Sequence, residues 1–78
     1  MNETELRQKI QKCIEKVIGK EVSNETGLIS GGYMDSFGML ALVSELEDEF
    51  RIGLPVEEIA PEHFETLEYI EETIGKYL

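Results

Sequence analysis

The chain has 78 residues, 41% hydrophobic and 31% charged, with 17 acids against 7 bases and a formal net charge of −10. That length leaves room for one domain over residues 1–78 with one small core, and the composition argues against disorder, collagen-like repetition and membrane proteins. Residues 1–20 carry a local charge of +2 and residues 21–78 one of −12. Such a surface repels nucleic acid phosphates and anionic lipid heads, and it either complements a basic protein partner or serves solubility alone.

No apolar run approaches the ~20 residues that cross a bilayer, and the start Met1-Asn2-Glu3-Thr4-Glu5 lacks the basic and apolar regions of a signal peptide. The expected location is cytoplasmic, without direct membrane insertion, and the expected state is a monomer.

Taken in chain order, the first apolar set is Leu6, Ile10, Cys13, Ile14, Val17 and Ile18. Spacing by threes and fours predicts an amphipathic helix, capped by Asn2 or Thr4 and stopped by Gly19. A connection over residues 20–34 follows, unusually long for so small a domain, and loops of that kind are often functional. Leu28, Ile29, Tyr33 and Met34 are expected to pin it to the core. Asp35 is a good N-cap and puts Ser36 at the first helical position. Met39, Leu42, Val43, Leu46 and Phe50 then recur at helical intervals, up to an end near Arg51-Ile52-Gly53. Pro55 and Pro61 bracket Val56–Ala60, long enough for a helix of one or two turns. Thr66 caps the last helix, whose buried stripe is Leu67, Ile70, Ile74 and either Tyr77 or Leu78. No segment alternates as a strand does. The expected fold is all-α, a small four-helix bundle of three main helices plus one short one.

Cys13 is the only cysteine and His63 the only histidine, so neither an internal disulfide nor a Cys/His zinc cluster can form. No calcium loop is present, and no metal site is expected. Cys13 reads as a buried small hydrophobe, and His63, within Glu62-His63-Phe64-Glu65, as a surface residue. Ser36 with His63 as its base would make a hydrolase, but the G-x-S-x-G turn is missing and so small a bundle forms no cleft. The chain is therefore read as non-catalytic, with no catalytic residue. Glu57, Glu58, Glu62, Glu65, Glu68, Glu71 and Glu72, with no base between Arg51 and Lys76, are expected to repel one another and to make the fold salt-dependent.

One place points beyond packing. A serine in the first turn of a helix sits beside unpaired backbone N–H groups at the positive end of the helix dipole, which favours a negative group on its oxygen. Ser36 would suit a phosphoester, and Gly31-Gly32 upstream leaves the approach open. With Met39, Leu42, Val43, Leu46 and Phe50 facing inward, Phe37, Leu40, Ala41 and Ser44 turn to another side, beside Glu45, Glu47 and Asp48. Apolar surface rimmed by acids has the composition of a docking site.

Gly31-Gly32-Tyr33-Met34-Asp35-Ser36-Phe37, followed by Leu42-Val43-x-x-Leu46-Glu47-x-x-Phe50 and Leu54-Pro55, resembles the acyl carrier protein family, whose signature is Asp-Ser-Leu at the start of its second helix. The resemblance spans nearly the whole chain. It implies that Ser36 carries 4'-phosphopantetheine through a phosphodiester, attached by a phosphopantetheinyl transferase, and that the terminal thiol holds an acyl or aminoacyl cargo as a thioester. By the same resemblance Asp35 assists the transferase and its magnesium ion. The partners implied are a loading ligase and a downstream transferase or synthase. Phe37-Gly38 stands where the fatty acid branch has Leu-Asp, and Ala41 where that branch often has an acid. Asp35-Ser36-Phe37-Gly38, with Pro55-Val56-x-Glu58-Ile59 and Phe64-x-Thr66, is similar to D-alanyl carrier proteins, which serve D-alanylation of cell-wall teichoic acid, and to other stand-alone aminoacyl carriers. An unmodified acidic adaptor for basic protein surfaces is the reading from a different class.

Overall fold

In the computed structural model, which describes residues 1–78, the first helix, α1, spans Glu3–Ile18 and begins where the Asn2 side chain accepts the Glu5 N–H at 2.8 Å. Between the two expected caps the chain uses Asn2. Gly19 ends the helix at φ 77°, in the left-handed region open to glycine, and its N–H bonds the Glu15 carbonyl at 2.8 Å.

The second helix, α2, spans Ser36–Phe50 and is capped by Asp35, whose Oδ1 accepts the Gly38 N–H at 2.8 Å. Its end falls where expected, near Arg51. Arg51 takes the left-handed turn at φ 55°, with its N–H on the Glu47 carbonyl. The third helix, α3, spans Leu67–Gly75, and Thr66 Oγ1 caps it by accepting the Tyr69 N–H at 3.2 Å.

The fourth helix does not form. Residues Val56–Glu58 and Pro61–His63 each make a single 3-10 turn, so the architecture is three α-helices and two short turns, without strands. Pro61 is the physical reason. It pushes Ala60 to an extended conformation, φ −140° and ψ 148°, which no helix can pass through.

Fifteen buried apolar residues form one cluster that draws on every segment: Ile10, Cys13 and Ile14 from α1, Leu42, Val43 and Leu46 from α2, and Leu67, Ile70 and Ile74 from α3. Val22, Leu28 and Met34 join it from the long connection and Phe64 from just after the second 3-10 turn, so the loop is pinned as expected, although Tyr33 remains exposed. Phe50 is only half-buried at the rim. Burial of a large apolar side chain is worth about 1.5–3 kcal/mol each, and this cluster is what holds a chain of such length together. Ion pairs stitch its outside: Arg7 to Glu71 at 3.0 Å joins α1 to α3, and Lys16 to Glu45 at 3.2 Å joins α1 to α2. Burial, with Glu49 and Glu45 adding to it, pushes the Cys13 thiol up to about 11. No helix is long and apolar enough to cross a membrane.

The acidic tail is less self-repelling than its sequence suggests. The buried Glu58 carboxylate receives Lys76 Nζ and the Tyr77 hydroxyl, both at 2.6 Å, and lies 3.0 Å from His63 Nδ1. His63 is thus a half-buried partner of Glu58, not the surface residue expected, because the two consecutive 3-10 turns bring their side chains together. Of the seven clustered acids, Glu58, Glu65 and Glu71 have specific partners.

Candidate functional site

Ser36 is the first residue of α2 and is exposed. Asp35 supplies the cap, and Met39 N–H returns to the Asp35 carbonyl at 2.8 Å, so the backbone on either side of Ser36 is fixed. The Ser36 and Phe37 N–H groups have no acceptor within the chain, which leaves two free donors at the positive end of the helix beside the hydroxyl. Helix α2 has no acid in its first turn, so Asp35 at the cap is the one carboxylate facing the positive end of the dipole. A phosphodiester on Ser36 Oγ fits this surrounding: there is room for it in solvent and there are two unpaired donors to meet it.

Gly38 is required by packing. A Cβ there would come within 2.8 Å of Met34 Cγ, so glycine lets the buried Met34 lie against the first turn of α2. The long connection is therefore locked to the helix start from inside.

The other lock comes from across the chain. The Leu28 N–H bonds the Glu65 carbonyl at 2.7 Å, and the Ile29 and Ser30 N–H groups both bond Glu65 Oε1, at 2.9 and 3.0 Å. These donors, Ser30 foremost, hold the Glu65 carboxyl below the usual carboxylate range. The turn closes on itself through Gly31 N–H to the Gly27 carbonyl at 2.8 Å and Tyr33 N–H to the Leu28 carbonyl at 3.0 Å. A Cβ on Gly31 would clash with that same Gly27 oxygen, whereas Gly32 serves by its positive φ of 78°. Exposed Tyr33 lies under Lys20, whose Nζ is 5.3 Å from the ring centroid.

The residues expected to form a docking face divide into two groups. Phe37 is 80% exposed and Leu40 53%, one turn apart and next to Ser36; Ala41, Ser44 and Asp48 are exposed as well. Glu45 and Glu47 are half-buried and already engaged, Glu45 with Lys16 and Glu47 with the Leu54 N–H at 2.8 Å. Glu47 thus closes the turn after α2. His63 does not serve Ser36, since its Nδ1 faces Glu58 and, at 3.5 Å, Thr73 Oγ1.

Glu65 was not singled out as a binding or positioning residue by the sequence. Its partners lie about 35 residues away in the chain, beyond any periodic signal, and the local string Phe64-Glu65-Thr66 reads only as a core residue followed by a helix cap.

Comparison with known proteins identifies the family. The family described as "Phosphopantetheine attachment site" matches residues 8–74. The chain is 31% identical over 72 residues to a D-alanyl carrier protein of Streptococcus mutans serotype c (strain ATCC 700610 / UA159), covering 90% of this chain and 91% of that protein. It is 33% identical over 64 residues to a D-alanyl carrier protein of Streptococcus suis (strain 05ZYH33), covering 80% and 81%. No solved structure matches. The matched span takes in all of α2 and most of α1 and α3. Proteins of this family carry 4'-phosphopantetheine and are carriers, not catalysts. The chain belongs to the phosphopantetheine attachment family, as a carrier protein of the acyl carrier type.

Proposed function

We propose that the chain is an aminoacyl carrier of the D-alanyl type, modified at Ser36. The observation that carries the attachment site is the exposed hydroxyl at the first position of α2, beside two free N–H donors and inside the matched span. Support for the cargo is the naming of both relatives, at 31% and 33% identity over most of the chain, as D-alanyl carrier proteins.

The Ser36 hydroxyl oxygen forms the new bond to phosphorus as the phosphoanhydride of coenzyme A breaks. The hydroxyl proton passes to the transferase, and the nucleotide half of coenzyme A leaves. The free N–H groups of Ser36 and Phe37 offset the negative charge then carried at the helix start. The group supplies a thiol on a flexible tether, on which cargo is held as a thioester. Asp35 keeps the helix start rigid through its cap and offers its carboxylate to the transferase and its magnesium ion.

Phe37 and Leu40, with Ala41 and Ser44, form the apolar centre of a docking face and Asp48 a charged rim, toward a phosphopantetheinyl transferase, an aminoacyl-loading ligase and a downstream transferase. Weak contacts steered by the acidic surface let each partner leave quickly. The chain works as one carrier unit over residues 1–78.

The experiment is incubation with coenzyme A and a promiscuous phosphopantetheinyl transferase, followed by mass measurement. A mass gain absent from Ser36→Ala is expected, and an unchanged wild-type mass would favour the acidic adaptor instead. Loading of the modified protein by ligases supplied with D-alanine, other amino acids or fatty acids then tests the cargo, with D-alanine the expected substrate.

A further inference from the structure

We propose that Glu65 is a positioning residue for the modification of Ser36: its carboxylate holds the turn Gly27–Tyr33 in the shape that the modifying enzyme meets beside the serine. The proposal rests on Ser36 as the acceptor.

The geometry leaves this side chain a task that packing does not perform. Leu28 and Met34, at the two ends of the turn, are held by the core, but Ser30, Gly31, Gly32 and Tyr33 between them are exposed. Ile29, half-buried, is the one apolar contact of that exposed part with the cluster. Two glycines in sequence make this stretch conformationally permissive. The Ile29 and Ser30 N–H groups instead converge on one carboxylate oxygen, Glu65 Oε1, at 2.9 and 3.0 Å. Bonds to a charged acceptor are roughly twice as strong as neutral ones.

From Glu65 the order passes along the backbone. The Tyr33 N–H closes on Leu28, Met34 lies buried against Gly38, and Asp35 caps α2. Removing the carboxylate therefore loosens the exposed half of the turn, leaving it only the backbone bonds from Gly31, Gly32 and Tyr33, while the core anchors and the Asp35 cap stay in place. The Ser36 hydroxyl keeps its own surroundings, so the chemical step is unaffected and recognition suffers. The transferase must then order the turn itself on binding, and the cost appears in KM.

The test uses the full chain as wild type, Glu65→Gln, Glu65→Ala, Tyr77→Phe and Ser36→Ala, with coenzyme A and a phosphopantetheinyl transferase. Glu65→Ala is expected to raise the KM for the carrier about tenfold with kcat within about twofold, a size in keeping with loss of preorganised geometry. Glu65→Gln, which keeps an acceptor oxygen without the charge, is expected to fall between Glu65→Ala and wild type. Tyr77→Phe loosens the far end of the fold and is expected to leave KM unchanged, which separates positioning from general loss of stability. Hydrogen exchange read by NMR is expected to show that Glu65→Ala strips protection from the Ile29 and Ser30 amides while the helix amides keep theirs. An unchanged KM in Glu65→Ala, an equal rise in Tyr77→Phe, or undisturbed protection at Ile29 and Ser30 overturns the proposal. A wild type that is not modified, or a Ser36→Ala that still is, overturns the assignment of Ser36 and the positioning role with it, and the exchange data then report on the clasp alone.

Discussion

The Tyr77 hydroxyl donates to Glu58 Oε2 at 2.6 Å, and through that bond the last residues of the chain close over the turn that follows Pro55. Lys76 shares the same oxygen and His63 faces the other one. Lys76 and then Tyr77 hold the Glu58 carboxyl below the usual range, and Glu58 in return raises the Tyr77 phenol to about 12. The two shifts give opposite pH windows. Glu58, depressed, contributes stability above its ordinary value of 4.5 and loses it as pH falls toward the folded value. Tyr77, raised, contributes fully below its ordinary 10.0 and loses that contribution as pH rises toward about 12. Tyr77→Phe is expected to lower the melting temperature by a few degrees at neutral pH. The gap between variant and wild type should close between those two alkaline values, read by thermal melts across pH, and a gap constant with pH would contradict this account.

Gly38→Ala sets two effects against each other. Alanine in place of glycine favours a helix by up to about 1 kcal/mol, while forcing a Cβ to 2.8 Å from Met34 Cγ is overpacking of a kind that costs about 1–3 kcal/mol. Because the obstructing atom lies midway along a buried side chain, overpacking wins. Chemical denaturation should show a net loss of about 1 kcal/mol.

Phe64 is fully buried and is among the largest side chains in the core. Truncating such a residue to alanine costs about 3–5 kcal/mol, which equals the roughly 3–5 kcal/mol that a core of this size supplies. Phe64→Ala should therefore be largely unfolded at room temperature by far-UV circular dichroism, and a cooperative melt close to wild type would refute the ranking.

Arg51→Gly should stabilise. Arg51 ends α2 at φ 55° with an exposed side chain and no ion pair, so glycine relieves left-handed strain and removes no contact. The expected gain is about 0.5–1 kcal/mol in urea denaturation.

Salt should raise the melting temperature. Screening weakens the Arg7–Glu71 and Lys16–Glu45 pairs, but those are few and partly exposed, and exposed pairs contribute about 0–1 kcal/mol each. A net charge of −10, with Glu57, Glu62, Glu68 and Glu72 exposed or half-buried without a bound partner, makes repulsion the larger of the two effects. Melting at low and at physiological ionic strength checks the sign.

The three helices and their caps at Asp35 and Thr66 were legible because capping and amphipathic spacing are local, written within four residues of each other. Ser36 stood out for the same reason. The segment between Pro55 and Pro61 misled: a five-residue gap is long enough for a helix, but a helix also needs the residue before Pro61 to be helical, and it is not. His63 and Glu65 were legible only as members of an acidic stretch. Glu65 is fixed by the N–H groups of Ile29 and Ser30, brought near by the folding of distant segments, and His63 by Glu58 five residues before it, across two 3-10 turns whose irregular geometry leaves no mark in spacing. Glu45 and Glu47 likewise looked free on α2 until Lys16 and the Leu54 N–H were brought beside them.

Asp35 holds the start of α2 by bonding Gly38, and Met34 packed against that glycine braces it from inside. A tether joined to the neighbouring oxygen would then pivot about a fixed hinge pin, sweeping a volume limited by its own length. Enzymes served in succession would have to bring their active centres within that radius, since the protein end of the joint does not bend to reach them.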